Sequence, residues 1–214
     1  MISLAIPTLW KSNLLHEMLE VYIQTPEISE VILIDNSKGY DEHYGKKDPK
    51  IRVITPETNL YVNPSWNLGV KESKTEIVGI LNDDIRFNPE IFKFILKNTD
   101  KMGIIGMSNI NYRETKYEPR LEKMRNRAFG WGCMFFLKKQ DWVDIPENIK
   151  IWYGDDFIFK CNPTECIKLS GLPIKTLMSS TSHRSEFNPI KKSDKIEWAN
   201  YNNTNMNLGY KKEW

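Results

Sequence analysis

Glu30-Val-Ile-Leu-Ile-Asp-Asn-Ser37 is the stretch on which the fold turns. Val31 to Ile34 is a continuous apolar run, rich in β-branched residues and too short for a helix, and the polar Asp35-Asn36-Ser37 closes it. A strand that is apolar on both faces belongs inside a sheet covered on both sides, with a polar loop at its carboxyl end. Working outward, Ile2-Ser-Leu-Ala-Ile6 reads as a second buried strand, stopped by Pro7. Ser12 or Asn13 caps a helix running to about Ile23, with Leu15, Met18, Leu19 and Tyr22 on one face and Pro26 beyond its end. Ile51-Arg-Val-Ile54 and Glu76 to Leu81 read as further strands, and between them a helix starts at Asn63 or Ser65 and ends near Glu72. Pro89 opens another helix, Glu90 to Lys97, with Ile91, Phe94 and Ile95 at helical spacing. Strands alternating with helices imply an α/β fold, a mostly parallel central sheet with helices on both faces.

Beyond residue 100 the pattern is less regular. Met102 to Met107 predicts a strand, and the polar, basic-leaning Asn111 to Arg127 predicts a long mobile loop. Arg127 to Leu137 predicts a strand entered through a glycine turn. A helix is expected to start within Trp152-Tyr-Gly-Asp-Asp-Phe157 and to reach Lys168, with Pro163 an obstacle in its interior. Pro173 to Ser180 predicts a last strand, and the Asn-rich tail from Asn188 shows no clear periodicity.

The 214 residues hold 30 Lys and Arg against 28 Asp and Glu, a net charge of +2, with 40% hydrophobic and 12% aromatic residues. That excludes a disordered chain and suits one domain with a real core. The near-balance of charge argues against a dedicated nucleic-acid binder. No apolar run approaches the roughly 18 residues that span a bilayer. Met1 to Trp10 lacks a basic region and is broken by Pro7, so no signal peptide is expected and the location is expected to be cytoplasmic. Cys133, Cys161 and Cys166 read as ordinary reduced thiols rather than a disulfide framework or a zinc site. The phosphate-binding, dinucleotide-binding, zincin and hydrolase motifs are all absent.

In open α/β sheets, ligands bind outside the carboxyl ends of the strands. Pro7-Thr8, Asp35-Asn36 and Asn82-Asp83-Asp84 all fall at such ends. Adjacent carboxylates at a strand tip suit Mg²⁺ or Mn²⁺ held jointly with phosphate oxygens, or else form a solvated turn. Asp35 can accept from a nucleobase or ribose, or cap a turn. Asp155-Asp156, after Trp152-Tyr153, can supply a general base beside an aromatic wall, or an N-cap. His183-Arg184 can ligate a metal and clamp a diphosphate, or stand on a polar surface loop. Gly69, in Asn67-Leu-Gly69, reads alone as a packing glycine. Arg120, Lys123, Arg125 and Arg127 form a basic stretch that reads as a solvated loop or a lid over an anionic ligand.

In order along the chain, these pieces resemble the GT-A glycosyltransferases, specifically the large inverting family 2 and its rhamnosyltransferase-like members. Val31 to Ser37 is similar to the family's nucleotide-binding start. Asn59-Leu-Tyr-Val-Asn-Pro-Ser-Trp-Asn-Leu-Gly69 is similar to its N-x-G-F-x-x-x-x-N-x-G segment, with Tyr61 in place of the glycine. Leu81-Asn-Asp-Asp84 matches the D-x-D position, with Asn82 for the first carboxylate, and Gly130 to Leu137 resembles the strand lining the acceptor side. Gly154-Asp155-Asp156 fits the Glu-Asp motif, with Asp155 for the Glu; Ile158 stands where an acidic residue is often found.

The resemblance implies a GT-A fold over residues 1–214, with a nucleotide-binding half of about 1–100 and an acceptor-binding half of about 101–190. The end at Tyr210-Lys-Lys-Glu-Trp214 leaves open that this is one domain of a longer polypeptide. The implied activity is metal-dependent, inverting transfer of a sugar from a nucleotide-sugar donor, a UDP-sugar first, to a hydroxyl of a glycan or glycoconjugate. Asp156 is the implied catalytic base with Asp155 beside it. Pro7, Thr8, Asp35, Asn67 and Asp83 are implied to bind the nucleotide. Asp84 and His183 are implied to hold Mn²⁺ or Mg²⁺, and Arg184 to meet the diphosphate. Trp131, Trp152 and Tyr153 can stack on the acceptor or belong to the core. Two rival readings are a sugar-1-phosphate nucleotidyltransferase and a non-catalytic nucleotide- or sugar-binding module. The first needs a glycine-rich basic loop that Pro7-Thr-Leu-Trp-Lys11 lacks; the second has no use for a base beside a metal.

Overall fold

The computed structural model describes residues 1–101, 103–176 and 184–206. The first half runs β1 (Ile2–Thr8), α1 (Asn13–Gln24), β2 (Ile28–Asp35), α2 (Tyr40–His43), β3 (Ile51–Ile54), α3 (Val62–Glu72), β4 (Ile77–Leu81), β5 (Ile85–Phe87) and α4 (Ile91–Lys97). The second runs β6 (Ile104–Met107), β7 (Arg120–Lys123), β8 (Met134–Lys138), α5 (Gly154–Cys161), β9 (Cys166–Ser170), β10 (Ile174–Thr176) and α6 (Asn188–Met206). Eight strands form one sheet in the order β3-β2-β1-β4-β8-β6-β9-β7, and β5 pairs with β10 in a separate ribbon. From β3 to β4 the neighbours are parallel. β8 reverses direction, antiparallel to β4 and β6, and β9 then runs parallel to β6.

Period-2 alternation along β1 sends Ile2, Leu4 and Ile6 to one face, where Leu15, Met18, Leu19 and Tyr22 of α1 cover them. Ala5 goes to the other face with Ile32, Ile34 and Leu68. There α3 packs so closely that a Cβ at Gly69 would lie 2.5 Å from that of Ala5. Trp66 and Val70 continue this face over Val78 and Ile80, and α5 and α6 extend it with Phe157, Ile158, Trp198 and Tyr201. Each fully buried Leu, Ile or Phe contributes about 1.5–3 kcal/mol relative to exposure, so two covered faces account for the sheet's cohesion. No helix among the described residues is long and apolar enough to cross a membrane.

Several expectations need correction. Pro7 does not stop β1, which continues to Thr8. The Thr8 carbonyl accepts the Asn36 N–H at 3.0 Å on the β2 side, so the Pro7 nitrogen faces the other side, where β4 has ceased pairing at Ala5. The helix expected to reach Lys168 ends at Cys161, and Cys166–Ser170 is a strand instead. Between them Asn162 Oδ1 accepts from the Thr164 N–H at 2.9 Å and hydroxyl at 2.6 Å, a side-chain turn that Pro163 favours. The expected loop at 111–127 contains β7, an edge strand on β9 whose exposed Arg120, Glu122 and Lys123 guard the open edge. The last strand is the short β10, and residues 177–180 lie outside the described residues. The tail without periodicity is the 19-residue helix α6.

Candidate active site

β1 and β4 end side by side, and their polar tips open on a cavity of about 460 Å³. Thr8 sets the geometry of this wall. Its hydroxyl donates to Asp83 Oδ2 at 2.7 Å and accepts the Trp10 N–H at 2.8 Å. Pro7, Thr8, Asp83 and Asp84 line the cavity from this side. Burial pushes the Asp83 carboxyl up to about 6, against the Thr8 hydrogen bond and with help from the Asp84 charge. Asp84 is 8% exposed, and burial likewise raises its pKa.

Further lining comes from the second half. Tyr153, at φ 65°, turns the chain into α5 and sets Asp155 and Asp156 in the helix's first turn, where the helix dipole favours carboxylates. Asp155, Asp156, Trp152 and Tyr153 all line the cavity. Burial raises the Asp155 carboxyl, the Asp156 charge adding to the rise and Arg127 opposing it. Arg127 Nε donates to Asp156 Oδ1 at 2.6 Å, and its Nη1 to Asp155 Oδ2 at 2.7 Å.

Gly132 and Cys133 stand between the two acidic pairs. A Cβ at Gly132 would come within 2.7 Å of the Asp155 Cβ, while the Cys133 carbonyl accepts the Asn82 N–H at 3.0 Å. Burial pushes the Cys133 thiol up to about 11, with Asp84 on one side and Asp155 on the other adding to the rise.

Other residues singled out in the sequence lie elsewhere. Asp35 is 1% exposed, and its carboxylate accepts from the Trp10 indole, the Ser37 N–H and hydroxyl, and the Tyr40 N–H. It braces the loop after β2 and does not line the cavity. Asn67 stitches α3 to the 142–145 segment, accepting from Ile145 N–H at 3.0 Å and the Trp142 indole at 3.2 Å and donating to the Ile145 carbonyl at 2.8 Å. Trp131 is fully buried against Phe135 and Phe159, with its indole on the Ile167 carbonyl, so it belongs to the core. Arg184 is exposed and is not among the cavity's lining residues. His183 lies outside the described residues.

Two residues gain importance that the sequence did not reveal. Arg127 figured only as part of a basic stretch, yet it joins both acidic residues of α5. Asp194 of α6 is fully buried, and its carboxylate accepts the N–H groups of Lys150, Ile151 and Trp152.

No three His, Cys, Asp or Glu side chains gather as a metal cage among the described residues. Asp84 suits a smaller demand. It is a buried hard-oxygen donor whose charge no cation among the described residues offsets. Mg²⁺ and Mn²⁺ at phosphate sites commonly use one or two carboxylates, with phosphate and water completing the shell.

A model of the family described as Glycosyl transferase family 2 matches residues 3–156. Among solved structures, S. aureus TarS 1-349 shares the fold at a TM-score of 0.55 and 17% identity, over 79% of this chain and 58% of that one. GalNAc-T7, solved with UDP, GalNAc and Mn²⁺, matches at a TM-score of 0.54 and 13% identity, over 82% of this chain and 43% of that one. The chain thus spans little more than half of the first and under half of the second. No protein of curated function matches it. Two acidic pairs lining one cavity, on a sheet of this topology, agree with the family match: the chain belongs to glycosyl transferase family 2.

Proposed function

We propose that this chain is an inverting glycosyltransferase module, moving a sugar from a nucleoside diphosphate donor to a hydroxyl of a glycan or glycoconjugate with the help of Mn²⁺ or Mg²⁺. One observation carries the reading: Asp83-Asp84 and Asp155-Asp156 face a single cavity, separated by Gly132-Cys133. A UDP-sugar is the first candidate donor, a choice supported by the fold neighbour GalNAc-T7 and its bound UDP.

The chemistry assigns a task to each wall. A neutral hydroxyl is a poor nucleophile, so Asp156 takes its proton as the oxygen attacks the anomeric carbon. The bond from that carbon to the diphosphate oxygen breaks, and the electron pair leaves with the diphosphate. Attack from the face opposite the leaving group inverts the anomeric configuration in one displacement. Thr8 and Asp83 hold the nucleotide side, and Asp84 is the residue that would hold the cation. A divalent ion bound there would supply positive charge against the charge developing on the departing diphosphate. Trp152 and Tyr153 offer flat surfaces to an acceptor sugar, and Lys191 over the Trp152 ring, 5.6 Å from its centroid, steadies the first.

Nucleoside diphosphate release from a panel of nucleotide sugars, with Mn²⁺, tests the reading. Asp84→Ala and Asp156→Asn are expected to lower release at least 100-fold, as loss of a charge-stabilising or proton-accepting group commonly does. Wild-type release that both variants retain would sink the assignment.

A further inference from the structure

Arg127 presents one guanidinium to two carboxylates, those of Asp155 and Asp156. The Arg127 side chain is 28% exposed, and those of Asp155 and Asp156 are 22% and 30% exposed. All three side chains are partly exposed and line the cavity, so an anion entering it can reach the guanidinium. Arg127 also stands on residues 124–130, outside any helix or strand, and Gly130 follows at φ 75°. The same cavity is lined by Asp83, Asp84 and Arg127 itself.

This arrangement has a cost for the proposed reaction. Asp156 Oδ1 is engaged by Arg127, so the orientation of the base in the cavity is set by the guanidinium rather than by the acceptor hydroxyl. A diphosphate entering the cavity brings two or more negative charges and oxygens spaced for the guanidinium fork, and phosphate is a preferred bidentate partner of arginine.

We propose that Arg127 is a donor-sensing positioning residue: it holds Asp155 and Asp156 while no diphosphate is present and turns to the diphosphate when the donor binds, releasing Asp156 for the acceptor. The inference rests on the reading of the cavity as a nucleoside diphosphate site. It makes the base available only when there is a donor to attack.

Competition for one guanidinium leaves a thermodynamic signature. UDP, with dTDP, GDP and ADP alongside, is titrated calorimetrically in Mn²⁺ into four proteins: wild type, Arg127→Met, Asp156→Asn and the double variant. Arg127→Met is expected to weaken binding of the preferred diphosphate at least 10-fold. Asp156→Asn is expected to tighten it about 5-fold in the wild-type background, because the guanidinium then has one competitor fewer. In the Arg127→Met background the same change is expected to alter affinity less than 2-fold. Equal tightening in both backgrounds means only that a negative charge has left the cavity, and it overturns the inference. Wild-type affinity in Arg127→Met also overturns it. Should methionine unfold the protein, Arg127→Lys keeps the charge without the fork, and a cycle built on it must still show the coupling. If none of the four diphosphates binds the wild type, the cavity's assignment falls first and the inference with it, an outcome distinct from binding without coupling.

Discussion

Asp194 Oδ2 accepts the backbone N–H of Trp152 at 2.9 Å, so a carboxylate on the last helix carries the aromatic wall of the cavity. The same carboxylate takes the N–H groups of Ile151 at 2.8 Å and Lys150 at 2.9 Å. The Lys150 carbonyl in turn accepts from Val62 and Asn63 at the start of α3. Asp194→Ala would strand three backbone donors, at a cost of about 2–4 kcal/mol. Urea unfolding is expected to show that loss, with Asp194→Asn intermediate because the amide oxygen still accepts. A shift below 0.5 kcal/mol for the alanine variant would contradict this role.

Asp83 ties stability to pH. Below 3.8, its ordinary value, the carboxyl is protonated in both folded and unfolded chains, and its burial carries no charge penalty. As pH rises from there to about 6, the unfolded chain ionises first while the folded one keeps its proton, so the contribution is lost through this window. At about 1.4 kcal/mol per pKa unit the loss is at most roughly 2–3 kcal/mol, before solvent screening reduces it. The urea midpoint of the wild type, in a chelator, is therefore expected to fall relative to Asp83→Asn between pH 4 and pH 7. A constant difference across that range would exclude the linkage.

Gly132→Ala is expected to separate activity from stability. The new methyl group would lie 2.7 Å from the Asp155 Cβ, so the first turn of α5 must yield. Displacing a reacting group by about 1 Å can cost on the order of 100-fold in rate. Diphosphate release should fall by roughly 10–100-fold while the melting temperature drops only a few degrees, the two read on the same preparation.

Gly69→Ala is expected to do the reverse. Its Cβ would meet that of Ala5 at 2.5 Å between α3 and β1, away from both acidic pairs. Overpacking of this kind costs about 1–3 kcal/mol. Chemical denaturation should register it, with nucleotide affinity unchanged once folded protein is compared with folded protein.

The first half was legible because its strands are continuous apolar runs and its helices carry apolar residues at helical spacing, as in Val31 to Ile34 and Leu15 to Tyr22. α6 was not, although its inward residues are regularly spaced. Ile190, Asp194, Glu197, Trp198, Tyr201 and Asn202 are the less exposed of its described positions, and the most buried of them is an aspartate; with Glu197 and Asn202 it breaks the apolar stripe. Convergence of Thr8, Asp83, Asp84, Asp155 and Asp156 on one cavity followed from strand ends and resemblance together. Asp35 could not be resolved from sequence because a carboxylate at a strand end has the same residue type whether it meets a ligand or its own loop; here it holds the loop after β2. Nothing local marks Arg127 as the partner of residues 28 and 29 positions later; only the reversal of β8 and the turn into α5 bring them together.

The ladder between β4 and β8 makes the two halves inseparable. Ile77 to Leu81 pairs along its length with Lys138 to Met134, so the first and second halves of the chain share one hydrogen-bonded seam. A chain cut near residue 100 would leave that seam bare in the middle of an apolar sheet, an edge that invites aggregation. Exchanging second halves among chains of this family therefore requires the seam to travel with the part: a chimera must exchange β8 together with the β4 edge it was matched to.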